Sequence, residues 1–235
     1  MANKLYRGIY AILDLDRIAP ALPDDPDEEL KTLLRYVTDA VAAGACAIQL
    51  RAKSVPGHSL WLPQLLGELR DAVDGKVPIV VNDHIEALQP LTPRDGFGVH
   101  VGQDDLPPQH ARSRLGGDVL LGLSTHTLEQ VNSAQLTGAD YIGFGPVRDT
   151  SSKANPDATT GIDGLAAACA ESSLPVVAIG GLGEDDIADV VAAGARCAAV
   201  IGAWLGDDGA PNGPNFARMA MQDLVAAWRA ADKAS

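Results

Sequence analysis

Three short stretches decide the fold: Ala43-Gly44-Ala45, Thr137-Gly138-Ala139 and Ala193-Gly194-Ala195. Each closes an amphipathic pattern and opens a short apolar run. A glycine just past a helix takes the left-handed position that ends it, and the alanine after it starts the next strand. The same join three times marks a repeated βα unit of roughly 20–35 residues.

Working outward, the apolar runs fall at 8–13, 47–51, 78–82, 98–101, 119–123, 141–143, 176–180 and 198–202. Most are continuous rather than alternating, as expected of parallel strands covered on both faces. Helical patterns occupy 27–43, 59–73, 127–136, 164–170, 184–193 and 215–231. About eight strands with about eight helices in a chain of 235 residues predict an α/β fold, a closed (β/α)8 TIM barrel. An open doubly wound sheet needs fewer strands and a Gly-rich first turn, whereas the first turn here is Leu13-Asp14-Leu15-Asp16-Arg17. No linker divides residues 1–235, which read as a single barrel domain. The polar stretch 150–160 reads as a lid over the active face, and 206–214 as a loop before the last helix.

Thirty-one acidic against 18 basic residues give a net charge of −13. That balance excludes a general nucleic-acid or anionic-membrane binder. No apolar run reaches the roughly 18–20 residues of a membrane span, and no signal-peptide core follows Met1-Ala2-Asn3-Lys4. Cys46, Cys169 and Cys197 sit among Ala and Val without a Cys-x-x-Cys, so they read as buried structural thiols in a reducing cytoplasm.

A (β/α)8 barrel builds its active site at the C-terminal strand ends. The second strand ends Gln49-Leu50-Arg51-Ala52-Lys53, putting an amide and two cations on alternate positions, a pattern suited to an anion. Asp83 and Asp105, after the third and fourth strands, suit a hard cation such as Mg²⁺, although Asp83 could instead cap a helix and Asp105 start a turn. Ser124, after the fifth strand, reads as an N-cap, a substrate donor or both at once. Thr150, Ser151, Ser152 and Lys153 after the sixth strand look like a phosphate clamp. Gly180-Gly181 and Ile201-Gly202 end the last two strands, where backbone N–H groups can approach a phosphate. His58 and His110 read as surface residues, His100 as a core histidine, and His126 as the one open to a chemical role.

Taken in order, Gln49-Leu50-Arg51-Ala52-Lys53, Asn82-Asp83, Gly98-Val99-His100-Val101-Gly102-Gln103-Asp104-Asp105-Leu106-Pro107, Gly122-Leu123-Ser124, Asp140-Tyr141-Ile142-Gly143-Phe144-Gly145-Pro146, Thr150-Ser151-Ser152-Lys153 and Ala178-Ile179-Gly180-Gly181-Leu182 resemble the thiamine phosphate synthase family. The resemblance implies Mg²⁺-dependent coupling of 4-amino-5-hydroxymethyl-2-methylpyrimidine diphosphate to 4-methyl-5-(2-phosphoethyl)thiazole. By matching positions, Gln49, Arg51, Lys53, Asn82, Ser124 and Lys153 would contact the pyrimidine diphosphate, and Asp83 and Asp105 the metal. Thr150, Ser152, Gly181, Ile201 and Gly202 would surround the thiazole phosphate, with Ser151 in the same clamp. Arg51, Lys53, Lys153 and Ser124 are the expected catalytic residues. The partners are small phosphorylated molecules, with no nucleic acid and no membrane; a homo-oligomer is compatible with a sequence that leaves oligomeric state open.

Three features depart from the family pattern. His84 replaces a usual Arg, leaving Arg94 or another cation to compensate, and Glu86 replaces Asp. The stretch 88–95 is longer and carries two prolines. Gly202 stands where Ser is common, which leaves only backbone donors there. Two alternatives stay open: a thiazole tautomerase using His126, and a non-catalytic phosphate-ligand-binding paralogue.

Overall fold

The eight apolar runs form eight parallel strands: β1 Gly8–Asp14, β2 Ala47–Arg51, β3 Ile79–Asn82, β4 Phe97–Val101, β5 Leu120–Thr125, β6 Tyr141–Phe144, β7 Val176–Ile179 and β8 Cys197–Val200. Each pairs with its sequence neighbours, and β1 closes the barrel on β8 with Gly8 opposite Cys197. The computed structural model describes residues 5–54, 61–150, 158–206 and 212–234.

Side chains alternate along each strand, which explains the continuous apolar runs. Ile9, Ala11, Leu13, Ile48, Leu50 and Val81 face the helices. Tyr10, Ile12, Ala47, Val80, Leu120, Tyr141, Val177 and Ala199 fill the barrel interior. Cys46 and Cys197 also lie there, buried as expected, with their sulfurs 3.6 Å apart. Cys169 is only half-buried, and burial raises its thiol to a pKa of about 11.

The glycines at the three decisive joins all take positive φ: Gly44 at 115°, Gly138 at 80° and Gly194 at 92°. Gly44 donates its N–H to the carbonyls of Ala40 and Val41 at the end of the helix Pro26–Ala43. That helix starts where Asp25 accepts from the N–H groups of Asp27 and Glu28. The last helix, Pro214–Ala234, buries Ala217, Met221, Leu224, Val225 and Trp228 and packs on Pro26–Ala43. No helix among the described residues is long and apolar enough to cross a membrane.

The outer layer departs from the expected ring in three places. Pro108–Leu115 is a helix absent from the apolar pattern, because only Pro108, Ala111 and Leu115 of it are buried. The β3–β4 crossover holds a 3-10 turn, Ile85–Leu88, in place of an α-helix. Pro90 and Pro93 block propagation there, and Arg94 holds the loop by donating to the carbonyls of Leu88 and Gln89. The stretch expected as one helix over 184–193 is a 3-10 turn, Glu184–Asp186, followed by the helix Ile187–Ala192.

Candidate active site

A cavity of about 420 Å³ opens at the C-terminal ends of the strands. Its wall includes Gln49, Arg51, Asn82, Ser124, Thr150, Gly181, Ile201 and Gly202, eight of the residues singled out in the sequence. Lys53, Asp83 and Asp105 stand beside it at the rim, joined through Asn82, whose Nδ2 donates to Asp83 at 2.7 Å. Ser151, Ser152 and Lys153 lie outside the described residues, as do His58 and most of the stretch 150–160.

Asp83 sits at φ 64°, a left-handed conformation that Asp tolerates better than most residues. It carries no helix cap; its carboxylate receives Lys53 Nζ and hydrogen-bonds the Asp105 carboxyl. Burial raises the Asp83 pKa, while Asp105 is held low by its bonds to Asp83 and the Gly102 N–H, which outweigh burial. Asp105 does close a turn, accepting from Gly102 N at 2.8 Å, so the turn role and the paired-carboxylate role coexist. A divalent cation would satisfy the same oxygen donors. Among the described residues no group of three or more His, Cys, Asp or Glu could hold a metal, leaving this pair for a hard ion that retains water.

Arg51 points into the cavity and pairs with Asp14, whose side chain is 5% exposed. Arg17 was not expected from the sequence. It follows β1 in the turn Leu15–Ile18, lines the cavity, donates to the Gly206 carbonyl and lies 3.4 Å from where a Gly202 Cβ would stand. The expectation of backbone donors alone at Gly202 is therefore corrected: a guanidinium lies against that glycine. Arg94 is bound to its own loop and does not line the cavity. The sequence signal for Arg17 is a cation within one turn of a strand end.

Gly180 and Gly181, at φ 101° and 63°, let the β7 end pass under the loop after β6. A Cβ on Gly181 would lie 2.1 Å from the Asp149 carbonyl oxygen. Gly183 offers less to an anion than its position suggests, because its N–H is taken by Asp186.

Ser124 caps no helix, since Thr127 does so for the helix Leu128–Ala134. Its hydroxyl lies 2.9 Å from His100 Nε2. His100 is thus both satisfied and in the cavity wall, with Tyr141, a phenol rather than a carboxylate, behind it at 3.1 Å. His126 lines the cavity with Nδ1 on the Gly145 carbonyl at 2.6 Å, and His110 is exposed.

This arrangement has known counterparts. The profile of the thiamine monophosphate synthase family matches residues 23–204. The chain belongs to that family. The thiamine-phosphate synthase of Anaeromyxobacter dehalogenans is 42% identical over 192 residues, 82% of each chain. That of Koribacter versatilis is 38% identical over 200 residues, 85% of this chain and 89% of its own. Among solved structures, thiamine phosphate pyrophosphorylase from Pyrococcus furiosus superposes with a TM-score of 0.76 at 26% identity, covering 97% of this chain and 98% of that one.

Within this thiamine monophosphate synthase family member, His84 is half-buried and bonds the Ala52 carbonyl at 2.8 Å, tying down the backbone beside Lys53. An arginine there can donate to the same carbonyl. His84→Arg is therefore expected to keep or raise the steady-state coupling rate, and His84→Ala to lower it by about tenfold through misplacement of Lys53.

Proposed function

We propose that this chain, a thiamine-phosphate synthase by family, joins 4-amino-5-hydroxymethyl-2-methylpyrimidine diphosphate to 4-methyl-5-(2-phosphoethyl)thiazole and releases diphosphate. One observation carries the reading. A single cavity is lined by an amide and a hydroxyl, Gln49 and Ser124, and by two arginines, Arg17 and Arg51, with a carboxylate pair at its rim. That combination suits a polar heterocycle bearing a diphosphate.

The reaction breaks the C–O bond between the pyrimidine methylene and diphosphate, the electron pair leaving with diphosphate. The ring amino group donates electrons into the resulting cation, and the thiazole nitrogen then forms the new C–N bond. The protein supplies no nucleophile in this scheme; it stabilises the departing anion and keeps water from the cation. Arg51, Lys53 and Lys153 take the diphosphate charge, and Asn82 orients it. Asp83 and Asp105 would hold Mg²⁺, which when bound neutralises charge on the leaving diphosphate. Arg17, Thr150, Ser151, Ser152, Gly181, Ile201 and Gly202 take the thiazole phosphate. Ile12, Val177, Ile179 and Ala199 give the cavity floor few groups that would hold water. We place the reaction in the cytoplasm.

His126, fixed on the Gly145 carbonyl within the same cavity, favours a second reading, isomerisation of the thiazole phosphate by proton transfer. Incubation with each substrate alone separates the two: a synthase leaves the thiazole unchanged until the pyrimidine diphosphate is added. Lys153→Ala is expected to cut coupling by about 10²–10³-fold, the cost of removing one positive charge from the leaving group. Near-normal turnover of a folded Lys153→Ala variant would remove the clamp from the scheme.

A further inference from the structure

Five polar side chains cross the barrel interior in one line. Gln49 Nε2 donates to Tyr10 Oη at 3.0 Å, and Tyr10 Oη lies 3.0 Å from Tyr141 Oη. Tyr141 Oη lies 3.1 Å from His100 Nδ1, and His100 Nε2 lies 2.9 Å from Ser124 Oγ. All five line the cavity, and its two ends, Gln49 and Ser124, are the residues assigned to the pyrimidine. Both tyrosines are fully buried, and burial raises both phenol pKa values.

The strands are shaped to permit this line. His100 on β4, Gly122 on β5 and Tyr141 on β6 sit side by side in register. A Cβ on Gly122 would lie 2.2 Å from the Tyr141 ring and 2.4 Å from His100 Nδ1. Gly122 is in ordinary strand conformation, so its glycine serves space rather than φ: it lets His100 and Tyr141 meet over the strand between them.

Each phenol has one proton, so the chain of bonds has one direction. The Gln49 amide nitrogen can only donate, and Tyr10 therefore accepts from it. Among the described residues Tyr141 alone remains for the Tyr10 proton. Tyr141 then donates to His100 Nδ1, His100 carries its proton on Nε2 and donates to Ser124, and the Ser124 proton turns to the cavity. At the other end the Gln49 carbonyl oxygen, which accepts nothing within the line, is left as the acceptor for the cavity beside the amide's second N–H.

We infer that this one-way chain of hydrogen bonds sets what the cavity reads, a hydrogen-bond acceptor at Gln49 and a donor at Ser124, complementary to an aminopyrimidine with an N–H on one side and a ring nitrogen lone pair on the other. Tyr10, Tyr141 and His100 are positioning residues that act through the two ends. The inference rests on the proposed pyrimidine substrate and adds the means of selecting it. The ring of opposite polarity, a 4-oxopyrimidine, could be accepted only by reversing every proton in the line, including the Gln49 amide orientation. His100 also gives a proton to Ser124 rather than taking one, so the serine is not activated as a nucleophile.

Two measurements on the full chain test this. The first is ¹⁵N NMR of labelled histidines, with His100 assigned from a His100→Gln spectrum. Wild type is expected to carry the neutral Nε2–H ring, and Gln49→Glu, whose carboxylate only accepts, to convert it to Nδ1–H through two intervening tyrosines. A wild-type ring with Nδ1–H, or with both nitrogens protonated at neutral pH, overturns the inference, as does an unchanged ring in Gln49→Glu. The second is calorimetric binding of 4-amino-5-hydroxymethyl-2-methylpyrimidine and its 4-oxo counterpart. Wild type is expected to favour the amino ring, and Tyr141→Phe to reduce that preference by about tenfold or more while inorganic diphosphate binds as before. An unchanged preference in folded Tyr141→Phe overturns the inference. A wild type that binds neither ring overturns the functional reading, and the aminopyrimidine assignment with it, whatever the tautomer.

Discussion

Asp83→Asn is expected to lower the coupling rate by about 10³-fold while the barrel stays folded. The magnitude follows from removing half of a two-carboxylate site for a divalent ion, an effect of roughly 4 kcal/mol on a transition state with charge on its leaving group. Asparagine is the informative substitution because it keeps the shape of Asp83 and tolerates φ 64°. Asp83→Ala should lose as much activity and, in addition, about 1 kcal/mol of stability from the left-handed backbone. Single-turnover rates with thermal melts of both variants check this. An Asp83→Asn enzyme within tenfold of wild type would move the metal, or the need for one, away from this pair.

Arg51→Met is expected to lose coupling by about 10²–10³-fold and also to weaken the fold, which separates it from Asp83→Asn. Arg51 pairs with Asp14, whose side chain is 5% exposed, so removing the guanidinium strands a buried carboxylate. Breaking such a pair from one side costs roughly 3–5 kcal/mol. Adding Asp14→Asn removes the stranded charge and should restore much of the melting temperature without restoring coupling. Denaturant unfolding and turnover of the single and double variants read the two roles separately. If the double variant recovers coupling along with stability, Arg51 serves the fold and not the diphosphate.

The strand order and the closed barrel were legible because they rest on local signals. Continuous apolar runs marked strands covered on both faces, and Gly44, Gly138 and Gly194 marked where helices stop. The adjacency of Asp83 and Asp105 followed from neighbouring strand ends. The helix Pro108–Leu115 was illegible because its buried face is too narrow to show a period. The line from Gln49 to Ser124 was illegible for another reason. Tyr10, His100 and Tyr141 each read as an ordinary strand residue, and only the register across Gly122 brings them together. The net charge of −13 speaks against polyanion partners, yet it could not reveal that Arg17 and Arg51 face one small cavity.

The central claim is coupling, and the direct measurement is product analysis after incubating the purified chain with both substrates and Mg²⁺. The account predicts thiamine phosphate and diphosphate in equal amounts, abolished by chelating the metal. Isomerised thiazole alone, or neither product from a folded protein, would contradict it.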